Sequence, residues 1–364
     1  MTLSRFNRIT ASIEQRIQDR KLAGAASLVA WNGRIVHNEV QGFADVESGK
    51  PLERDAIFRL ASMTKPIIGV AVVRLAEEGR IKLSDPLGKF VPEFAEFARD
   101  STDRGIIIHD LLTHSCGLGQ GPNGFTELLM PGPGDTLADH IPKWGNVPLD
   151  FQPGSQTGYS PIAAFDILGR VIEIVSGMPL DRYLQQVLFQ PLRMKDTTFA
   201  PTDAQWQRVV TMYESTDEGL AKFNDQQILF HPHYFSGAGG LFGTLDDYYR
   251  FAQMLAGGGE VNGCRILSET SVHAMRTAQL ADTIAGFPDG QTWGLSMRVI
   301  TDRAAAGTFL SEGSYGWSGA WGTHFWVDPT ENLVAVLMMN LANAGGADAE
   351  TAREFEEAVM RSIQ

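Results

Sequence analysis

Hydrophobic residues near the start of the chain change from a helical to a strand-like spacing. Residues 4–21 are predicted to form an amphipathic helix, because apolar side chains recur at intervals of three and four: Phe6, Ile9, Ile13 and Ile17. Residues 25–31 are then mostly apolar, and residues 34–40 follow after the dipeptide Asn32-Gly33. Asparagine and glycine tolerate the positive φ angles of a two-residue turn, so this stretch predicts a β-hairpin.

The far end of the chain carries the same kinds of element in reverse order. Residues 323–327 and 333–339 are strand-like and flank the turn-forming residues 328–332. A final helix is predicted because apolar side chains share one helical face: Ala352, Phe355, Val359 and Ile363. Strands and helices at both ends therefore predict one sheet built from both parts of the chain.

The middle of the chain favours helices, most clearly over residues 69–79 and 162–176. We expect an α/β fold with a helical lobe: an antiparallel sheet built from both chain ends and flanked by helices, with an inserted all-helical domain. The expected bounds are residues 1–85 and 185–364 for the α/β domain and 86–184 for the helical domain, with the active site between them. A chain of 364 residues is long enough for two such lobes.

The overall charge limits the classes of partner. The formal net charge is −13 at pH 7, so a nucleic acid or an anionic membrane surface would be repelled. No stretch is apolar for long enough to cross a bilayer, and residues 1–6 lack the apolar core of a signal peptide. We therefore expect a cytoplasmic protein that acts on a small molecule, with no nucleic-acid or membrane partner.

Metals, other cofactors and disulfides are not expected. Cys116 and Cys264 fit no metal-ligand spacing, and we expect two buried thiols rather than a disulfide. The segment His231-Pro232-His233 could supply two zinc ligands, but no H-E-x-x-H motif or further ligand cluster accompanies it. We interpret this segment, with Tyr234 and Phe235, as lining for a substrate cleft.

One motif carries nucleophile chemistry. Ser62-Met63-Thr64-Lys65 is the only S-x-x-K sequence in the chain, and this spacing places the serine and lysine side chains on one helical face. A serine hydroxyl becomes a good nucleophile when a neighbouring base removes its proton, and lysine is a base only when neutral. The apolar flanks of the motif favour the neutral amine. On spacing alone, a serine and a lysine on a helix surface would be an equally good interpretation.

Further landmarks of a known superfamily accompany this motif. Residues 58–76, which read FRLASMTKPIIGVAVVRLA, resemble the nucleophile helix of the serine β-lactamase-like superfamily. That superfamily includes class C β-lactamases, D-alanyl-D-alanine peptidases and family VIII carboxylesterases. Other matches follow in the superfamily's order: residues 83–87 (LSDPL), 109–115 (HDLLTHS), 191–194 (PLRM) and 239–244 (GGLFGT). The resemblance implies an acyl-enzyme mechanism with Ser62 as the nucleophile.

The second motif of the superfamily is a tyrosine followed two positions later by asparagine. The matching segment is Gly158-Tyr159-Ser160-Pro161, and the resemblance implies that Tyr159 exchanges protons with Ser62 and the leaving group. A phenol can do this when a nearby ammonium such as Lys65 favours the phenolate, so the two groups would share one proton. Because proline replaces asparagine, we expect a contact to Lys65 and to the substrate carbonyl to be missing.

The third motif normally reads Lys or His, then Thr or Ser, then Gly. It aligns with Trp317-Ser318-Gly319, so a tryptophan stands where β-lactam-directed relatives carry a cation for the substrate carboxylate. Family VIII esterases resemble this sequence in having an aromatic residue there. We expect Trp317, Ser318 and Gly319 to contact a neutral substrate, and the backbone N–H groups of Ser62 and Ala320 to form the oxyanion hole.

Several alternatives stay open on the sequence. Ser115 and Ser318 each stand in a G-x-S-x-G context that lacks one glycine, so we expect neither to be a nucleophile, although His114 beside Ser115 suggests a Ser-His pair. The main hypothesis is a carboxylesterase for short-chain, neutral esters. The others are an amide-directed enzyme (β-lactamase, D-alanyl peptidase or amidase), an acyltransferase with the same three residues, and a non-catalytic binding protein. Trp317 and Pro161 favour the esterase.

Overall fold

The computed structural model describes residues 3–98, 104–118, 130–223, 233–281, 283–342, 344–346 and 349–364. The strands are β1 Gly24–Trp31, β2 Arg34–Asp45, β3 Lys50–Pro51, β4 Phe58–Arg59, β5 Tyr213–Thr216, β6 Gly219–Lys222, β7 Phe242–Gly243, β8 Glu260–Val261, β9 Cys264–Arg265, β10 Gln291–Trp293, β11 Arg298–Ile300, β12 Tyr315–Gly319, β13 Thr323–Asp328 and β14 Leu333–Met339. The α-helices are α1 Asn7–Gln18, α2 Thr64–Glu77, α3 Ile108–Leu112, α4 Leu137–Trp144, α5 Ala163–Ser176, α6 Leu180–Leu184, α7 Gln190–Leu192, α8 Asp203–Trp206, α9 Leu245–Ala256, α10 Glu269–Met275, α11 Arg303–Ala306 and α12 Glu350–Ile363.

Eight strands form one antiparallel sheet in the order β10-β11-β12-β13-β14-β1-β2-β3. Strand β14 lies between β1 and β13, so Val336 stands opposite Leu28 on one side and Phe325 on the other. The hairpin predicted near the start of the chain is β1–β2, and Asn32 and Gly33 in its turn have φ angles of 51° and 73°. The sheet is thus built from both ends of the chain, and the predicted fold class is confirmed.

The first and last helices cover one face of the sheet. Ile9 of α1 and Phe355 of α12 share an apolar cluster with Trp326 of β13. The helix predicted over residues 4–21 is shorter than expected, because a 3-10 turn precedes α1 and the helix ends at Gln18. Both terminal helices are therefore amphipathic and bury the faces that their periodicity indicated.

The other face of the sheet packs on helix α9, and a second, larger apolar cluster extends from there to α2 and α5. Leu28 and Val336 of the sheet belong to this cluster, together with three helical residues: Val72, Ile167 and Phe251. Helix α5 also contacts α3, α4 and α6. The described part of the segment 86–184 carries α3 to α6, and the exact domain bounds stay a prediction.

The two cysteines are free thiols, of which Cys116 is buried and Cys264 is half-buried. Burial raises the pKa of the Cys116 thiol to about 12. Within the described ranges, no three His, Cys, Asp or Glu side chains are placed to hold a metal ion, and no helix is long and apolar enough to cross a membrane. His231 and Pro232 lie outside the described residues.

Candidate active site

Ser62 lies in a tight turn at the start of α2. A 3-10 turn, Ala61–Met63, leads directly into the helix. Ala61 has a φ angle of 47°, a left-handed conformation that costs a non-glycine residue about 1–2 kcal/mol. The backbone N–H of Leu60 donates to the carbonyl of Leu241 at 2.9 Å and fixes the entry to this turn. The surrounding chain therefore holds the strained backbone that presents Ser62.

The side chain of Lys65 is fully buried, and its Nζ has three acceptors. Nζ lies 2.8 Å from the carbonyl oxygens of Pro161 and Ala238 and 3.0 Å from Ser62 Oγ. Carbonyls can only accept, so they engage both N–H groups of a neutral amine, and its lone pair then faces Ser62. In the ammonium form, the third proton faces Ser62 instead. The geometry therefore suits proton transfer between these two groups in either direction.

The structure corrects the expectation drawn from Pro161. We expected the missing asparagine side chain to leave Lys65 without a contact, but the backbone carbonyl of Pro161 accepts a hydrogen bond from Nζ at 2.8 Å. The main chain therefore replaces the missing side-chain acceptor. Proline still offers no side-chain donor to a substrate carbonyl, and that part of the expectation stays a prediction.

Tyr159 approaches Ser62 as a second hydrogen-bonding partner. Its hydroxyl donates to Ser62 Oγ at 2.7 Å, and Trp317 Nε1 donates to the tyrosine oxygen at 3.4 Å. Lys65 Nζ lies 5.1 Å from the centre of the tyrosine ring. The tyrosine oxygen thus lies between Ser62 Oγ and an indole N–H, a position that suits a group that gives and takes a proton.

The sequence suggested His114 only as a partner of Ser115, and it did not point to Trp293. The buried His114 ring packs against both Tyr159 and Trp293, with centroid distances of 4.7 and 4.5 Å. Its Nδ1 accepts the backbone N–H of Ser160 at 3.0 Å, so the proton resides on Nε2. Burial first, and the charge of Lys65 second, lower the pKa of His114 well below its ordinary value of 6.5. A neutral His114 therefore helps to position Tyr159.

His114 and Ser115 do not form a catalytic pair. The fully buried Ser115 hydroxyl lies 2.9 Å from Thr113 Oγ1 and donates to Asp110 Oδ1 at 3.3 Å. Asp110 also accepts two hydrogen bonds from Arg104, at 2.6 and 2.8 Å. Ser115 thus belongs to a structural network, as expected for a residue outside the nucleophile motif.

Strand β12 brings the third motif beside the other two, but only part of it faces the site. Successive side chains of a strand point to opposite faces, and Trp317 faces Tyr159. Ser318 points the other way, where its buried Oγ lies 2.6 Å from His324 Nδ1. His324 Nε2 in turn lies 3.1 Å from Glu356 Oε1. The expectation that Ser318 contacts the substrate is therefore wrong for its side chain.

Gly319 permits a close approach of β12 to the turn that carries Ser62. A Cβ at this position would lie 2.3 Å from the Leu60 carbonyl oxygen and 3.2 Å from Ala61 Cβ. Ala320 follows directly after the strand. This close approach agrees with an oxyanion hole formed by the backbone N–H groups of Ser62 and Ala320, which stays a prediction.

Tyr234 and Phe235 were both expected to line the cleft. Tyr234 is 5% exposed, and its hydroxyl donates to Asp166 Oδ2 at 2.7 Å. It lies behind the site rather than against a substrate, which corrects that expectation. Phe235 is half-buried and stacks on Phe199 at 5.3 Å, and its contact with a substrate stays a prediction. Asp166 was missed, although an acid within the apolar stretch AAFDILG is an available signal.

The fold and the site define the class of serine hydrolases with a β-lactamase/transpeptidase-like fold. A family model described as Beta-lactamase matches residues 9–359, and the chain belongs to that family. Esterase EstB of Burkholderia gladioli is 32% identical over 93% of this chain and 91% of that protein. Protein Rv1367c of Mycobacterium tuberculosis is 33% identical over 94% of this chain and 92% of its own length. The structure of EstCE1, described as a hydrolase with promiscuous acyltransferase activity, is similar with a TM-score of 0.87 at 26% identity, over 98% of this chain and 99% of that one.

Proposed function

We propose that the chain is a carboxylesterase that hydrolyses short-chain, neutral esters through an acyl-enzyme on Ser62. The observation that carries the proposal is the position of Trp317, whose indole N–H donates to Tyr159 at 3.4 Å. An indole thus stands where the resemblance leads us to expect a cation in β-lactam-directed relatives. The similarity to Esterase EstB and to the hydrolase EstCE1 supports the same reaction class.

In the proposed acylation, Ser62 Oγ attacks the ester carbonyl carbon while its proton passes to the Lys65–Tyr159 pair. Both partners lie within hydrogen-bonding distance of Oγ, at 3.0 and 2.7 Å. The N–H groups of Ser62 and Ala320 stabilise the developing negative charge on the carbonyl oxygen, by about 2.7–4 kcal/mol per donor. The tetrahedral intermediate then expels the alkoxide, which takes a proton from the same pair and leaves as the alcohol.

Deacylation uses the same groups with water as the nucleophile. The water gives a proton to the Lys65–Tyr159 pair as its oxygen attacks the acyl carbon. The second tetrahedral intermediate releases Ser62 Oγ, which regains a proton, and the carboxylic acid leaves. Lys65 can act in both directions without reorienting, because the Pro161 and Ala238 carbonyls fix its amine.

Aromatic side chains shape the expected substrate specificity. Trp293 and Trp317 pack edge to face with centroids 4.7 Å apart, and Trp317 lies 5.2 Å from the Tyr159 ring. These rings offer apolar area and no positive charge. A hydrogen bond to a charged carboxylate contributes about 1.5–3 kcal/mol, so β-lactams and peptides should lose about one to two orders of magnitude in kcat/KM.

The proposal is tested by comparing p-nitrophenyl acetate and butyrate with the cephalosporin nitrocefin. We expect kcat/KM for the esters to exceed that for nitrocefin by at least about a hundredfold. Trp317→Lys should improve nitrocefin hydrolysis and narrow this gap. Trp31→Lys is the matched control, because Trp31 packs at the edge of the other sheet face, beside Arg5. A wild-type preference for nitrocefin, or an unmoved ratio in Trp317→Lys, would contradict the proposal and favour the amide-directed alternative.

Acyl transfer to an alcohol is a second candidate, favoured by the similarity to EstCE1. An alcohol would take the place of water in deacylation, so the same three side chains suffice. Reaction of p-nitrophenyl butyrate in the presence of 1-butanol should then yield butyl butyrate, detected by gas chromatography. Release of butyric acid alone would exclude this activity for that acceptor.

A further inference from the structure

A buried carboxylate lies directly behind the proposed base. Asp166 in α5 is 0% exposed and accepts three hydrogen bonds. The Tyr234 hydroxyl donates to Oδ2 at 2.7 Å, and the Ser236 hydroxyl and the Ala238 backbone N–H donate to Oδ1 at 2.7 and 2.9 Å. All three donors belong to one short segment, residues 234–238, so a single side chain anchors this whole segment to α5.

The anchored segment packs closely against α5. A Cβ at Gly237 would lie 2.3 Å from the carbonyl oxygen of Phe165, which shows that the segment lies directly on the backbone of α5. A buried carboxylate is costly unless it is fully hydrogen-bonded and near a cation. Burial raises the pKa of Asp166, and the three donors and the charge of Lys65 oppose that rise. Such an acid is therefore retained at a cost in stability.

The anchored segment also supplies an acceptor to Lys65. Ala238 donates its N–H to Asp166 and accepts from Lys65 Nζ through its carbonyl, at 2.8 Å. Without a fixed Ala238 carbonyl, the lysine amine would keep only Pro161 and Ser62 as partners. Its lone pair would then no longer be directed at Ser62 Oγ.

We propose that Asp166 is a positioning residue: its carboxylate fixes residues 234–238, and the Ala238 carbonyl thereby aims the Lys65 amine at Ser62. The inference rests on the proposed function of Ser62 and Lys65. Asp166 contacts neither the substrate nor the nucleophile and acts only through Ala238.

Other titratable groups face this pair. His114 and Tyr159 lie on the Lys65 side, and Tyr234 lies on the Asp166 side. Burial first, and Asp166 second, raise the pKa of Tyr234 well above 10.0, so it stays a hydrogen-bond donor across the working pH range. Beyond Tyr234 lie three further groups: His140, Asp135 and Glu173. None of these side chains is itself replaced in the Asp166 variants.

The test compares Asp166→Ala with Asp166→Asn, using p-nitrophenyl butyrate. Asp166→Ala removes the anchor and should lower kcat by at least about a hundredfold, with KM changed by less than about threefold. Asp166→Asn keeps an oxygen for Ser236 and Ala238 but removes the charge. It should retain at least about a tenth of the wild-type kcat.

Asp247→Asn is the matched control, because Asp247 is also buried but accepts from Asp196 N and Thr197. It should cost stability and leave kcat unchanged. If Asp166→Ala does not fold, the kcat of Asp166→Asn decides. A kcat in Asp166→Asn below about a hundredth of the wild-type value, or a wild-type kcat in Asp166→Ala, overturns the proposal.

Crystal structures separate this inference from the proposed esterase activity. In Asp166→Ala the distance from Lys65 Nζ to the Ala238 oxygen should exceed about 3.5 Å. If the wild type hydrolyses no ester, the proposed function fails and this distance still decides the role of Asp166. If the wild type is active but the distance is unchanged in the variant, the positioning role alone fails.

Discussion

Replacing Gly319 by alanine should separate the two proposed halves of the oxyanion hole. The added Cβ would lie 2.3 Å from the Leu60 carbonyl oxygen and 2.2 Å from Thr323 Oγ1. A hydroxyl can rotate away, but the Leu60 carbonyl is main chain, so β12 has to retreat by about 1 Å. This shift moves the Ala320 N–H and leaves that of Ser62 in place. Loss of one such donor costs about 2.7–4 kcal/mol, so we expect kcat to fall about 10²–10³-fold.

The assay is steady-state hydrolysis of p-nitrophenyl butyrate, with the free energy of unfolding measured in parallel by urea denaturation. Gly346→Ala is the matched control, because no atom lies within 4 Å of the methyl group added there. The control should keep wild-type kcat. A folded Gly319→Ala enzyme that keeps more than half of the wild-type kcat would refute the reasoning.

The remaining predictions concern the proton-sharing pair, the nucleophile and the buried acid Glu356. Lys65→Ala and Tyr159→Phe should each lower kcat by several orders of magnitude, and the double variant should be scarcely worse; losses that multiply would contradict the shared role. A fluorophosphonate should label the peptide that contains Ser62, and labelling at Ser318 with activity retained in Ser62→Ala would defeat the assignment. Burial raises the pKa of Glu356, but the hydrogen bond from His324 and the charge of Arg298 outweigh it, so the pKa lies below 4.5. The Glu356 carboxylate therefore stabilises the fold fully above about pH 4.5, the ordinary pKa of a glutamate. This stabilisation is lost as the pH falls through the lowered pKa of the folded protein. Glu356→Gln should cost about 3 kcal/mol in urea unfolding at pH 7 and less below about pH 4, and an equal loss at both pH values would contradict the assignment.

The first hairpin and the last helix could be predicted, because the sequence patterns that indicate them are local. The turn at Asn32-Gly33 and the periodicity of α12 depend only on neighbouring residues, and both elements lie where the pattern placed them. The pairing of Val336 with both Leu28 and Phe325 is a long-range fact that no local pattern contains. The strands at both ends of the chain predicted one shared sheet, but not which strands pair in it.

The sequence predicted the side chains of the site that stand in motifs, but not the main-chain groups that hold them. Ser62, Lys65 and Tyr159 stand in motifs, and the structure places Lys65 Nζ and the Tyr159 hydroxyl within 3.0 Å of Ser62 Oγ. The acceptors that fix Lys65 are the main-chain carbonyls of Pro161 and Ala238. Every residue has such a carbonyl, so the residue types could not predict which ones contact Lys65. Ser318 could have been assigned correctly, because alternation along a strand already places it opposite Trp317.

The central position of β14 has a consequence for synthesis of the protein. The hairpin β1–β2 leaves the ribosome long before β14, the strand that covers the edge of β1. Because synthesis proceeds at about 5–20 residues per second, the edge of β1 has no partner strand there for roughly 15–60 s. A nascent chain thus carries Ser62 and Lys65 before it carries Trp317 and the strands that complete the sheet. Until β14 is synthesised, the edge of β1 has no partner on that side and is exposed to pairing with other chains.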